Sequence, residues 1–419
     1  MINLKENREV QKLGKKSLSR CGLYLLPLLS VLLTGCAANA VGQNQNGAQT
    51  TSVTAPIAKA VVAPVLTPGF AVVHMVTAQR GFALYNQLPY QLVLATANGG
   101  TTWRNITPQG MSTRGGLASS FVDAKTVWVA FYPFEYQKNA AVLGTSDGGK
   151  QWTPTVLSGM MTRDDTSPLS ALSAQTAFLL SHSRLFTTQD GGVNWSQVCQ
   201  FGSSKEDPKL FGNNGIRFFT PSLGLLTGDG EPGKKAPWVY LTRTGGRTWQ
   251  PVSVPVPSAF TGAQAQTLPP FYFHGGEIVL PILFTQHTMR NIVFFRSQLP
   301  VSTHSIWKVS TPVVVDVAAG NTTHGVPPMS FLSSQTGFLI GQQHGRNHLE
   351  QLLYTENGGE SWTQLSANGL FTSGQITELD FVSAQIGYAL RRTSKQTELL
   401  WTQDGGANWE IKRSSVGSP

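Results

Sequence analysis

The stretch Thr402-Gln403-Asp404-Gly405-Gly406-Ala407-Asn408-Trp409 constrains this chain more than any other feature, because the chain repeats it. The pattern is Thr-x-Asp-x-Gly-x-x-Trp. Close copies place Thr145, Asp147, Gly149 and Trp152, then Thr188, Asp190, Gly192 and Trp195. Two looser copies put an amide in the Asp place: Thr96, Asn98, Gly100, Trp103 and Thr355, Asn357, Gly359, Trp362. A sixth reads Thr242, Thr244, Gly246, Trp249. Short apolar runs flank each copy, and a strand, a Gly-rich turn and a second strand form a hairpin.

A second hairpin precedes each motif: an apolar run, a polar turn, then another apolar run. In the first unit it is Val73-His74-Met75-Val76 followed by Gly81-Phe82-Ala83-Leu84; in the last, Leu379-Asp380-Phe381-Val382 followed by Gly387-Tyr388-Ala389-Leu390. Seven such hairpins occur against six motifs. The fifth unit runs through Asn291-Ile292-Val293-Phe294-Phe295, omits the motif, and is expected to resume as a strand at Ile306-Trp307-Lys308-Val309. With Trp307 included, seven of the 10 tryptophans close a unit, at intervals of 43 to 58 residues. Four short strands per unit of this length is the signature of a β-propeller. The expected fold is all-β: one seven-bladed β-propeller of four-stranded blades over residues 69–412, ending in a tail at 413–419. The chain has no long helical periodicity beyond its N-terminus.

The motif chemistry is that of a turn. Gly supplies positive φ without steric cost, and Asp or Asn accepts backbone N–H groups of its own turn. Thr adds a hydroxyl, and Trp brings a large apolar surface to fill the gap between blades. Asp147, Asp190 and Asp404 are therefore read as structural rather than catalytic. The Asp is expected to satisfy buried turn N–H groups.

The N-terminus reads as an address. Basic residues at 5–20 lead into a 13-residue apolar run ending at Leu33, then Thr34-Gly35-Cys36. This is an export signal, and the run is shorter than the roughly 20 residues that span a bilayer as a helix. Residues 1–35 form the expected signal peptide, and 36–68 a lipidated Cys36 with a flexible tether, of which 55–65 is apolar enough to supply a ring-closing strand. Leu33-Thr34-Gly35-Cys36 resembles the bacterial lipobox, which implies a lipid anchor on Cys36 at the outer face of the cytoplasmic membrane. Cys21 would leave with the signal, so the remaining cysteine, Cys199, has no intramolecular disulfide partner and is read as a small buried hydrophobe.

Taken together, the repeats resemble the Asp-box (bacterial neuraminidase) repeat of sialidases, sortilin-type receptors and the photosystem II assembly-factor propellers. The last group, with an export or lipoprotein signal and Thr-x-Asp-Gly-Gly-x-x-Trp units, is the nearest overall. The resemblance implies a propeller that helps to assemble or stabilise a membrane complex, and departs at the fifth unit. It fixes architecture rather than activity. A sialidase would show Phe/Tyr-Arg-Ile-Pro before the first motif. That tetrapeptide is absent, and Arg80 and Arg217 have the wrong neighbours.

A glycosidase needs two carboxylates about 5–10 Å apart, for which Asp164-Asp165, Glu206-Asp207 and Asp229 with Glu231 are the loop candidates. The segment His344-Gly345-Arg346-Asn347-His348, with Glu350 near it, reads as a hairpin tip rather than a metal site. No nucleotide motif, metal site or cofactor is expected, and nucleic acid is not an expected partner.

In a propeller the motif turns and first-hairpin turns share one face, and the blade-to-blade and central-hairpin loops share the other. The second set is longer, so binding is expected there. Of the formal +9 charge, residues 1–35 carry +4, and the remaining +5 falls on this loop face. Arg114, Arg163, Lys234, Lys235, Arg391 and Arg392 are its candidate binding residues. Such a face suits an acidic protein segment, an anionic polymer or glycan, or lipid headgroups. The expected function is a non-catalytic, membrane-tethered binding module; the alternative is a carbohydrate-active or sugar-binding propeller.

Overall fold

The computed structural model describes residues 58–59, 63–64 and 69–416, apart from 88–89, 109–116, 132–138, 159–164, 182, 206, 213, 288, 303–304, 316–325, 343–348, 373 and 395. The signal peptide, Cys36, Arg114, Arg163, Asp164, Glu206 and the 344–348 tip lie outside the described residues. Seven sheets follow one another along the chain, each built on an antiparallel blade, with Asp165–Ser167 added in parallel beside the first strand of the fourth, and the seven-bladed propeller stands as expected.

Blade 1 is Phe70–Met75, Gly81–Gln87, Tyr90–Thr96 and Arg104–Asn105, from the inner strand outward. Blade 2 is Leu117–Phe121, Val127–Phe131, Asn139–Thr145 and Gln151–Ser158. Blade 3 is Leu169–Ala171, Ala177–Ser181, Arg184–Thr188 and Ser196–Gln200. Blade 4 is Asn214–Phe218, Gly224–Gly228, Trp238–Thr242 and Gln250–Pro251. Blade 6 is Met329–Phe331, Gly337–Gln342, Glu350–Thr355 and Thr363–Gln364. Blade 7 is Gln375–Phe381, Gly387–Arg392, Gln396–Thr402 and Glu410–Val416. Its outer strand runs beyond Lys412 into the expected tail.

Blade 5 departs from the repeat. Its central strands, Glu277–Gln286 and Met289–Gln298, are the longest in the propeller. Its inner strand is broken into Gln264–Thr267 and Phe271–Tyr272 around Pro269 and Pro270, which have no N–H to give the ladder. The outer edge is likewise split into Lys308–Val309 and Val313–Val315. The strand expected from Ile306 thus starts later, and Ile306 is 85% exposed. Ser297 stands where the motif Thr stands elsewhere, and its hydroxyl binds the Ile306 carbonyl at 2.9 Å.

The described residues of the 55–65 segment do not close the ring. Ala58–Lys59 pairs with the outer strand of blade 2, and Ala63–Pro64 with that of blade 1. The physical reason is that blade 7 is complete from C-terminal residues and blade 1 from N-terminal ones. The two short strands therefore add to outer edges, whose backbone groups are otherwise unpaired.

The core is divided into seven clusters, one at each junction between adjacent blades, and each holds one unit-ending tryptophan. Trp195 packs between blades 2 and 3, where it meets Trp128 edge-on at 5.9 Å. Trp409 does the same between blades 6 and 7 against Phe381 at 5.9 Å. Emptying such a site costs about 3–5 kcal/mol for an aromatic residue. Cys199 is buried at the junction of blades 3 and 4.

Candidate functional site

The motif turns share one architecture, with the Thr hydroxyl at its hub. Thr188 Oγ1 accepts the Gly192 N–H at 3.0 Å and donates to Asp190 Oδ1 at 2.9 Å. Asp190 Oδ1 in turn accepts the Asn194 N–H at 2.9 Å. The same geometry recurs at Thr145 with Asp147 and at Thr402 with Asp404. Asn98 and Asn357 substitute for Asp, and the Thr244 hydroxyl accepts the Thr248 N–H. The buried N–H, that of the Gly, therefore belongs to Thr and not to Asp as expected from sequence. Asp serves the more exposed N–H beyond it.

For Asp147 and Asp190, partial burial is the largest single influence and pushes the carboxyl pKa up. The hydrogen bonds together outweigh it and leave both below the usual value. Asp404 is held low chiefly by its bonds to the Asn408 side chain and backbone. Carboxylates so engaged are turn caps.

Each motif turn is also fastened to the first-hairpin turn of its own blade. The first motif Gly donates its N–H to Gln79, Lys125, Gln175, Ser222, Gln335 and Gln385 carbonyls in the six motif blades. These two sets of turns therefore share one face, leaving the blade-to-blade and central-hairpin loops on the other.

On the loop face of blade 4, Lys234 pairs with Glu231 at 2.5 Å, and Lys209 acts electrostatically on the same carboxylate, which is held below its usual pKa by Lys234 first. Lys235 follows in the same loop, and all three lysines are exposed. Arg392 is exposed as well. Arg391 is not part of this surface. It is 3% exposed, and its Nε and Nη2 both reach Glu398 Oε2 at 2.7 Å. Its Nη1 donates to the Gly369 and Leu370 carbonyls and to Thr372 Oγ1. Glu398 lies directly opposite Arg391 in the strand register, so the pair is an internal cross-strand clamp. The loop acids are engaged too: Asp207 caps Ser203 and Ser204, and Glu231 is bound to Lys234.

The inner strands carry a feature the sequence reading missed. One residue before the end of each inner strand, Ser120, Ser170 and Ser330 accept an N–H from the next blade's inner strand, at Ala171, Phe218 and Phe381. Asp380 holds this position in blade 7 and accepts the Met75 N–H of blade 1 at 2.5 Å. His74 and Arg217 hold it in blades 1 and 4. His74 Nδ1 is 3.8 Å from Asp380. Arg217 is open to solvent yet crowded by protein, which lowers its pKa without discharging it.

Two residues before Asp380 stands Glu378, on the same side of the strand. Burial first, and the Asp380 charge second, push its carboxyl up to about 8. The signal was present in the alternation Glu378-Leu379-Asp380-Phe381, which puts two acids on one side of a strand otherwise packed into the core. Among the described residues, no group of three His, Cys, Asp or Glu side chains is placed to hold a metal ion.

No protein-family model matches the chain. No curated protein matches it in sequence. Among solved structures, prolyl oligopeptidase B from Galerina marginata aligns with 84% of this chain and 51% of its own, at 9% identity and a TM-score of 0.54. The chain thus spans about half of that enzyme. The uncharacterized protein lmo1340 from Listeria monocytogenes EGD-e aligns over 86% of this chain and 98% of its own, at 6% identity and a TM-score of 0.50. A structure of YCF48 bound to D1 peptide aligns over 71% of this chain and 82% of its own, at 18% identity and a TM-score of 0.44. Likeness at these identities speaks to the fold alone. The chain is a seven-bladed β-propeller, and the YCF48 propeller is among the structures similar to it.

Proposed function

We propose that this propeller is a non-catalytic binding module that engages an acidic segment of a protein partner through its loop face, and is held at the outer face of a membrane by lipid on Cys36. One observation carries the partner's chemistry: Lys209, Lys234 and Lys235 stand exposed with Glu231 as the one carboxylate paired among them. Among the described residues of these two loops, Lys205, Lys209, Lys234 and Lys235 stand against Asp207, Asp229 and Glu231, a small positive excess that helps to steer and orient an acidic partner. The exposed Lys234–Glu231 pair contributes little to stability, so the loop is available for exchange of partners. The motif carboxylates offer no competing chemistry, because each is spent on its own turn.

The D1 peptide belongs to the YCF48 structure; for this chain the support is the lysine cluster itself. The test is co-purification from detergent-solubilised membranes, using the parent and a Lys209→Glu, Lys234→Glu, Lys235→Glu variant. A protein retained by the parent and lost from the folded variant supports the proposal. Equal retention by both overturns the assignment to this face.

A further inference from the structure

A cavity of about 250 Å³ lies where the inner strands of blades 5, 6 and 7 come together. Prolines line it where one of those strands breaks and another begins. Blade 5 breaks around Pro269, and the inner strand of blade 6 starts only after Pro327 and Pro328. Apart from Thr377 and Glu378 the lining side chains are apolar, Phe271 and Met329 among them, and Glu378 is the one ionisable group. No hydrogen-bond or ion-pair partner meets the Glu378 carboxyl among the described residues.

We propose that this cavity binds a primary amine carrying a compact apolar group. The ammonium would meet the Glu378 carboxylate, and the apolar part would lie against Phe271, Met329 and the prolines. Charge decides for an amine over an acid or a neutral ligand. Asp380 stands two residues along the same strand, so an anion entering here is repelled while a cation relieves the repulsion between the two carboxyls. A half-buried carboxyl with no partner is costly, and an ammonium supplies both the missing hydrogen bonds and the missing charge.

The other groups near this strand are His74, 3.8 Å from Asp380, and Tyr388, whose hydroxyl donates to the Ala78 carbonyl and feels the Asp380 charge. The lining stretches of blades 5 and 6 bring no titratable side chain. Because the carboxyl titrates near 8, it is largely protonated at pH 7, and a bound ammonium must displace that proton.

The experiment is calorimetric titration of the purified protein with 2-phenylethylamine at pH 7, in phosphate and in Tris. The neutral 2-phenylethanol and the anionic 3-phenylpropionate serve as comparison ligands. The expected result is binding of the amine alone, with buffer-dependent heat corresponding to release of about one proton. Affinity should rise about tenfold per pH unit below the carboxyl's pKa and level off above it. Glu378→Gln should weaken the amine by about tenfold or more and abolish the proton release. Absence of amine binding, equal binding of the alcohol, tighter binding of the propionate, or heat independent of buffer would each overturn the proposal. The proton measurement is made on the parent protein, so it stands even if the variant folds poorly. None of these outcomes bears on the lysine face of blade 4.

Discussion

Asp380 accepts the backbone N–H of Met75 at 2.5 Å, joining the last blade to the first with a carboxylate where three other junctions use a serine. The Tyr388 hydroxyl reinforces this junction by donating to the Ala78 carbonyl at 2.9 Å, as the Trp128 indole does to the Ser173 carbonyl between blades 2 and 3. Among the described residues no strand is exchanged between blades 7 and 1, and side-chain contacts of this kind join the two blades.

Substitutions at Asp380 should separate the acceptor from the charge. Asp380→Ser keeps an acceptor, removes a buried acid and relieves Glu378, so its stability at pH 7 should match or exceed the parent's. Asp380→Ala leaves the Met75 N–H unmet and should fall below the Ser variant by about 1–3 kcal/mol. Denaturant unfolding of both variants checks this order, and a more stable Ala variant contradicts it.

In the motif turns the hydroxyl should matter more than the carboxylate. Thr188 is 1% exposed and holds the buried Gly192 N–H, so Thr188→Val should cost about 1–3 kcal/mol. Asp190 is exposed and serves an exposed N–H, so Asp190→Ala should cost nearer 0.5–1 kcal/mol, as at a helix cap (~1 kcal/mol). Melting curves of the two variants measure the difference.

Stability should fall as pH rises through the range that Glu378 spans. Its carboxyl is protonated in the folded state up to about 8, against the usual 4.5 in the unfolded chain. The folded state thus binds the extra proton. The resulting stability is fully present below 4.5, and is lost progressively up to about 8. The loss is on the order of 4–5 kcal/mol. Glu378→Gln cannot ionise, so it should equal the parent near pH 4.5 and exceed it at pH 8. Unfolding free energies at the two pH values decide it; a variant less stable than the parent at pH 8 contradicts the assignment.

Much of the architecture was legible in the sequence because it repeats. Each Trp-ending unit has to solve the same packing problem at a blade junction, so periodicity exposed the seven clusters before any contact was seen. Features that do not repeat were illegible for the same reason. Arg391 sits at the end of a strand where its loop neighbours made it look exposed, and only the register opposite Glu398 turns it inward. The Glu378 cavity is lined by prolines of blades 5 and 6, which no feature of blade 7 announces. The role of Asp at the motif was overestimated because sequence shows which residues share a turn, not which N–H is buried.

Cys36 should be the first residue of the mature protein and carry the lipid. Intact-mass measurement of protein extracted from membranes is expected to show the chain from Cys36 with acyl groups added. An unmodified Cys36, or a different N-terminus, contradicts the tether.

The most direct test of the binding role is the association rate of the co-purified partner, measured against ionic strength. Charges on the loop face act over about 8 Å at physiological salt, so association should slow as salt increases. The Lys209→Glu, Lys234→Glu, Lys235→Glu variant should associate more slowly, with a melting temperature close to the parent's. Arg391 is left in place, because breaking its buried pair with Glu398 would cost about 3–5 kcal/mol and confuse folding with binding. A reversal on the opposite face, at Lys150 and Arg247, should leave the rate unchanged. An equal loss from both variants, or no loss from the lysine variant, would contradict partner capture through the loop face of blade 4.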